Sequence, residues 1–167
     1  EQFEGMTHPG MSITFHRENE PLGTGGALWN ARALLEERFL LVWGDDLHPI
    51  DYASLMNKHR SQQSPLTMTV TETHSDSNLQ HDGELLLEYD KRTKDTSKLN
   101  GYEAGTSVVE KSTLLEHGKG GKWSWEETVY PALSGQAQVH VDNTKFWDMG
   151  TPEGLSSLEK FLDKTTL

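Results

Sequence analysis

Apolar positions between residues 27 and 38 recur at helical spacing. Ala27, Leu28, Ala31, Leu34 and Leu35 form one stripe, with Asn30, Arg32, Glu36 and Glu37 off it, which predicts an amphipathic helix. The pattern then changes to a short unbroken apolar run over 39–43, of the kind found in a strand covered on both faces. That run stops at Gly44-Asp45-Asp46. Ahead of the helix, residues 12–17 alternate through Ile13 and Phe15 and predict a strand, followed at once by glycines at 23, 25 and 26. Residues 50–60 return to helical spacing through Tyr52, Leu55, Met56 and His59, with Asp51 placed to cap the helix or to favour its positive end. Residues 66–73 are rich in β-branched side chains and alternate. Three strands separated by two helical crossovers predict a parallel sheet with right-handed connections.

The second half is more β in character. A polar loop over 74–82 and a turn at Gly83 lead to a strand over 84–89. A charged loop separates it from a strand over 105–109, and a short helix is expected over 125–133, around Pro131. Strand candidates at 137–141 and 144–147 precede Pro152, which suits a first helical turn. The closing helix, 154–163, keeps Leu155, Leu158, Phe161 and Leu162 on one face. No internal repeat interrupts the chain, and 167 residues suffice for a single domain with a real core. The fold class read from this order is α/β, a mostly parallel sheet flanked by helices.

In an open α/β sheet, ligands bind beyond the carboxyl ends of the strands. The carboxylates after the 39–43 run therefore mark a candidate site. Gly23, Gly25 and Gly26 let the backbone approach a ligand closely, and with Thr24 they form a candidate nucleotide-binding turn. The formal charge of −11 argues against a nucleic-acid backbone as partner. The longest apolar stretch is too short to span a bilayer and no signal-like segment opens the chain, which is read as cytoplasmic with no membrane partner. The absence of cysteine leaves carboxylates, carbonyls and histidines to hold any metal. Each feature has a plainer reading. A Gly-Asp-Asp triplet after a strand is often a solvated turn, glycines serve turns anyway, and an Asp90-Lys91 pair on a surface contributes little.

Six segments occur in one order over nearly the whole chain: PLGTGGAL (21–28), LVWGDDL (41–47), DGELLLEYDK (82–91), YEAGTSVVEK (102–111), WSWEETVYPAL (123–133) and FWDMGTPEGL (146–155). In that order they resemble the sugar-phosphate nucleotidyltransferases, or NDP-sugar pyrophosphorylases, whose Rossmann-like fold is related to the GT-A glycosyltransferases. PLGTGGAL is most similar to members that make GDP-sugars from mannose or heptose 1-phosphate. The resemblance implies transfer of a nucleoside monophosphate from a nucleoside triphosphate to a sugar 1-phosphate, with release of pyrophosphate. It implies Mg²⁺ held by Asp45 and Asp148, with Asp46 assisting or in the outer shell, and a nucleotide at Gly23, Thr24, Gly25 and Gly26. It also implies that Asp90 and Lys91 contact the sugar and its phosphate, and that Glu103 and Gly105 lie at the sugar pocket. Hard oxygen ligands suit Mg²⁺, and a divalent ion would neutralise the gathered phosphates.

Two departures bear on that expectation. The family's N-terminal glycine-rich loop, with its catalytic arginine, has no counterpart here, and the chain opens at Glu1 as if in the middle of something. The expectation is a single domain over 1–167, incomplete at its N-terminus, with little pyrophosphorylase activity and a sheet edge open to forming a homo-oligomer. Glu103 stands where the family often has Asn. Two alternatives stay open: a non-catalytic nucleotide- or phosphosugar-binding domain, and a GT-A glycosyltransferase.

Overall fold

The structure is a computed structural model that describes residues 10–163. In chain order its elements are α1 (Gly23–Ala31), a 3₁₀ turn (Arg32–Leu34), β1 (Arg38–Val42), β2 (Asp46–Leu47), α2 (Tyr52–Gln62), β3 (Leu66–Thr71), β4 (Leu79–His81), β5 (Leu86–Tyr89), β6 (Tyr102–Glu110), α3 (Lys111–His117), α4 (Trp125–Ala132), β7 (Gln138–Val141), β8 (Trp147–Asp148) and α5 (Pro152–Leu162). The α/β class expected from the sequence is the class observed. No helix among the described residues is long and apolar enough to cross a membrane.

Four strands make the central sheet, in the order β1-β6-β3-β7. The sheet is mixed, which corrects the expectation of consecutive parallel strands. β1, β3 and β7 run the same way, but β6 is inserted between β1 and β3 and is antiparallel to both. A strand buried on both faces has the same unbroken apolar pattern in either direction, so hydropathy alone does not show this reversal. β3 and the middle of β6 are fully buried. Successive residues of β6 point to opposite layers: Val109 joins the large core with Trp125, Val129 and Tyr130, while Val108 joins Ile50 and Leu55 on the other side.

β1 departs from the sequence reading too. It is not covered on both faces: burial alternates along it, and Leu40 and Val42 are exposed. Residues 12–17 form no strand, and Met11, Ile13 and Phe15 are exposed. The helix expected over 27–38 begins earlier, inside the glycine cluster at Gly23, and ends at Ala31. The 74–82 loop contains β4, which pairs with β5. The strand expected over 144–147 shortens to β8, and α3 was not foreseen.

Local signals placed the remaining helices. Asp51 accepts from Ala53 N–H and Ser54 N–H at the start of α2, Ser124 accepts from Glu127 N–H at α4, and Thr151 accepts from Gly154 N–H at α5, with Pro152 following it. Each hydroxyl or carboxylate occupies a donor that the first helical turn leaves free. In α4, Trp125 and Val129 lie four residues apart on the buried face, which turns the helix into the core it shares with β3 and β6, against α1 and β5.

Candidate functional site

β1 ends at Val42, and the chain continues through Trp43, Gly44 and Asp45 into β2. β2 pairs with β8 as a two-residue antiparallel ribbon, with Asp46 opposite Asp148 and Leu47 opposite Trp147. Met149 N–H donates to Asp45 O at 2.7 Å and fastens the ribbon's end. Asp45 and Asp148 converge beside Gly150: a methyl group built there would lie 2.9 Å from Asp148 Oδ1 and 3.7 Å from Asp45 Oδ2. Two aspartates distant in sequence thus reach one crevice, beyond the carboxyl end of β1 at the edge of the central sheet.

The crevice is a cleft of about 220 Å³ lined by Asp45, Asp46, Glu103, Glu126 and Asp148, by Lys91, and by Thr24, Trp43, Asn78, Tyr89 and Tyr102. Among the described residues, five carboxyl groups face a single lysine, and Lys91 Nζ is already bound to Glu126 Oε1 at 2.5 Å. Crowding of like charge at low hydration raises proton affinity. Burial, with Asp45 and Asp148 beside it, pushes the Asp46 carboxyl up to about 7. Burial, then Asp46 and Glu126, push Glu103 up to about 8 against the opposing effect of two hydrogen bonds. Tyr102 is pushed up to about 12 by burial and by Asp148 and Asp46. Burial works against the Lys91 charge, but its bond to Glu126 prevails and holds the ammonium above its ordinary range. The cleft is a negative hole that an anion enters only with cations.

Among the described residues, no group of three or more histidine, aspartate or glutamate side chains encloses a metal position. The donor set of Asp45 and Asp148 nevertheless fits Mg²⁺, which takes one or two carboxylates and completes its shell with water and substrate phosphate.

No family model matches the chain. Individual proteins do. It is 30% identical over 155 residues to mannose-1-phosphate guanylyltransferase of Mycobacterium tuberculosis, an alignment that takes in 86% of this chain and 42% of that protein. It is 26% identical over 171 residues to D-glycero-alpha-D-manno-heptose 1-phosphate guanylyltransferase of Aneurinibacillus thermoaerophilus, covering 97% of this chain and 72% of the relative. Its fold superposes on the crystal structure of HddC from Yersinia pseudotuberculosis with a TM-score of 0.68 at 26% identity, covering 86% of this chain and 64% of HddC. The chain resembles the sugar-phosphate nucleotidyltransferases. It spans less than half the length of the mycobacterial relative.

Against that family's pattern, the structure brings together Asp45, Asp148, Lys91, Glu103 and Thr24, all on the cleft wall. It does not bring the others there in the same way. Gly25 and Gly26 lie inside α1 and are buried, and their lack of side chains serves the loop after α3. A Cβ on Gly25 would meet the Trp123 ring at 2.2 Å, and one on Gly26 would meet Gly121 O at 2.4 Å. Gly23 has a positive φ of 71° and abuts Trp123 O. The expected open glycine turn is therefore a helix start clamped by Trp123, and only Thr24 looks into the cleft. Thr24 Oγ1 accepts from Trp125 N–H at 2.9 Å and donates to Glu126 Oε2 at 3.3 Å, which ties α1 to α4. Asp90 turns away: its Oδ1 accepts from Arg92 N–H and Thr93 N–H, closing a turn. Gly105, at φ 75°, lies against the Asp46 side chain.

Sequence reasoning missed Asn78, Tyr89, Tyr102 and Glu126. Glu126 was readable in part, as an acid in the first turn of a helix capped by Ser124. Asn78 lies in what looked like a plain polar loop. Of the two tryptophans that flank the aspartates, Trp43 lines the cleft, whereas Trp147 is 4% exposed and stacks on Phe161 at 4.5 Å behind it.

Proposed function

We propose that this chain is the sugar-phosphate-binding and metal-binding part of a nucleotidyltransferase that transfers a nucleoside monophosphate from a nucleoside triphosphate to a sugar 1-phosphate and releases pyrophosphate. The observation that carries the reading is the convergence of Asp45 and Asp148 beside Gly150 at the end of β1. The guanylyltransferase names of the relatives, and a structure of HddC complexed with GMP-PN, favour guanine as the base and a mannose- or heptose-type sugar.

Asp45 and Asp148 would hold Mg²⁺. Bound there, the ion would supply charge neutralisation for the phosphate oxygens. The protein's own residues supply the rest. Lys91 donates to a phosphate oxygen once it exchanges its bond to Glu126. Asn78 and Tyr102 present hydrogen-bonding groups to sugar hydroxyls, and Glu103 closes the floor. The buried Tyr89 and the half-buried Trp43 shield the phosphates from bulk water, and a fixed donor acts more strongly in such a shielded site.

The test is pyrophosphate release from each nucleoside triphosphate with Mg²⁺ and mannose, heptose or glucose 1-phosphate, run beside calorimetry of Mg²⁺–GTP on the parent chain, Asp45→Asn and Asp148→Asn. Metal-dependent GTP binding that both substitutions abolish supports the reading. Metal-independent binding, unchanged in both variants, overturns it. A glycosyltransferase would instead consume an NDP-sugar and release NDP, which the same assay distinguishes.

A further inference from the structure

β6 is irregular where it passes the cleft. Met68 of β3 pairs with Ser107 and Val70 pairs with Glu103, so Thr69 alone faces Ala104, Gly105 and Thr106. Such bulges re-aim a strand and its side chains. This one is pinned from β3 by Thr69 Oγ1, which lies within bonding distance of Ala104 O (3.2 Å) and Thr106 O (2.9 Å). On the cleft side Glu103 pins it. Its Oε1 accepts from Gly105 N–H at 3.0 Å, its Oε2 accepts from the Trp43 indole N–H at 3.3 Å, and Gly105 O accepts from Trp43 N–H at 2.9 Å. Glu103, Gly105 and Trp43 therefore form a closed ring of three hydrogen bonds. Trp43 is two residues before Asp45, and Gly105 bears on Asp46: a Cβ there would lie 2.5 Å from Asp46 Cβ.

We propose that Glu103 is a positioning residue: with its two carboxyl oxygens it locks the β6 bulge to the end of β1, and so fixes where Asp45 and Asp46 stand opposite Asp148. The proposal rests on the metal–nucleotide reading of the cleft and assigns Glu103 a task other than touching the sugar. Three features favour it. Glu103 is 6% exposed, so its geometry is set by the protein. Both its oxygens are engaged by protein donors. Its own N–H is held by Asn78 Oδ1 at 3.0 Å, so neither end of the residue is free to swing. Burial of a carboxyl group is a cost that its bonds to Trp43 and Gly105 reduce, since each oxygen receives a donor.

Glu103→Gln isolates this role. The amide keeps the shape but offers one acceptor oxygen, and its NH₂ must then face either the Gly105 N–H or the Trp43 indole N–H, donor against donor. In a Trp43→Phe background the indole donor is gone, so the NH₂ can turn to the vacated side and Gly105 keeps its acceptor. Two readouts are taken on the intact chain: NMR hydrogen exchange of the Gly105 amide and the rest of β6, and calorimetric affinity for Mg²⁺ with GTP. The expected result is loss of Gly105 protection with the remainder of β6 still protected, and metal–nucleotide affinity weakened on the order of 10- to 100-fold, as for other residues that orient metal ligands. Both effects should shrink when Trp43→Phe is already present. Equal losses in the two backgrounds, or unchanged affinity despite an exposed Gly105 amide, overturn the proposal. If the parent chain binds no metal–nucleotide at all, the functional reading falls by itself; the ring then stands or falls on the exchange data, where unchanged Gly105 protection in Glu103→Gln overturns it.

Discussion

Asp46 and Asp148 face each other directly across the β2–β8 ribbon. Like charges in that position destabilise a strand pair, so something else must hold the ribbon closed. The next pair does so in part. Leu47 lies opposite Trp147, which is almost fully buried against Phe161 of α5. The apolar anchor keeps the carboxylates together, and Met149 N–H bound to Asp45 O fixes the neighbouring backbone. The crowding raises the proton affinity of Asp46, so a proton or an entering cation relieves the like charge across the ribbon.

The first prediction concerns that cation. Asp45→Asn and Asp148→Asn should each weaken Mg²⁺-dependent nucleotide binding by at least about tenfold, since loss of a ligand should matter no less than loss of a group that merely orients one. The double variant should lose little more than either single one, because two half-sites of one ion are not independent. Calorimetry with and without chelator measures it, and strict additivity would place the two aspartates in separate sites.

Among the described residues, Lys91 is the single cationic side chain on the cleft wall. Replacing it by Met removes a charged donor and releases Glu126, which adds a free negative charge. Pyrophosphate affinity should fall by about tenfold at low salt, the scale of one charge-assisted hydrogen bond, and the difference should narrow at high salt. Titration of pyrophosphate at two ionic strengths is the check. An unchanged affinity would leave Lys91 as no more than the structural partner of Glu126.

How much of this was legible in the sequence depends on how local each determinant is. α2 and α5 were readable because Asp51 caps within three residues of where it sits and Pro152 marks a first helical turn, and β3 and β7 because alternation is a property of consecutive positions. The antiparallel insertion of β6 was not readable, because partner choice is settled by distant residues. The same holds for β1, whose all-apolar run says nothing of whether a second layer covers Leu40 and Val42. Asp45 could be suspected from its place after a strand, but Asp148 became its partner only through the ordered motifs of a resembling family. The packing of the glycine cluster was not readable, for a physical reason. Its close approach is to Trp123, a hundred residues away, and glycine in a sequence does not say what comes near it. Asp90 is the opposite case, since an aspartate whose carboxylate captures the amides two and three residues on is a local turn signal.

The glycine–tryptophan clamp makes its own prediction. Gly25→Ala would gain up to about 1 kcal/mol of helix propensity, yet its methyl group would enter the ring of Trp123, which is 8% exposed and tied through its indole N–H to Lys119 O at 2.8 Å. Overpacking of this kind costs roughly 1–3 kcal/mol, so the variant should be less stable in urea despite the better helix former. A Trp123→Leu change made together with it should recover part of the loss. A stabilised single variant would mean that Trp123 moves aside freely.

The last prediction is of pH dependence, from a group far from the cleft. His59 is 1% exposed beneath β3 and β6. Its Nε2 lies 3.0 Å from Glu110 Oε1 and its Nδ1 lies 2.9 Å from Thr67 Oγ1. The neutral ring satisfies both contacts, with Nε2–H donating to the carboxylate and Nδ1 accepting from the hydroxyl. Burial lowers the ring's proton affinity; Glu110 opposes this, while Arg38 and Arg60 add to it, and the net shift is downward from the ordinary value of 6.5. The sign follows from linkage. A histidine whose folded pKa is depressed binds its proton more readily when unfolded, so stability is fully present above 6.5 and falls as pH drops through 6.5 toward the folded value. His48 and His140 are lowered by burial as well and act in the same window. These rings lower stability on acidification from pH 7.5 to about 5, whereas Asp46 and Glu103, whose proton affinity is raised in the fold, act in the opposite direction over the same range. The His59 share is therefore read as a difference: His59→Gln, which can keep a donor toward Glu110 but takes up no proton, should be less stable than the parent at pH 7.5, and that deficit should shrink toward about pH 5. A deficit that stays constant over the range would assign the pH dependence to other groups, and an NMR titration of the His59 ring with a midpoint above 6.5 would reverse the sign of the expected effect.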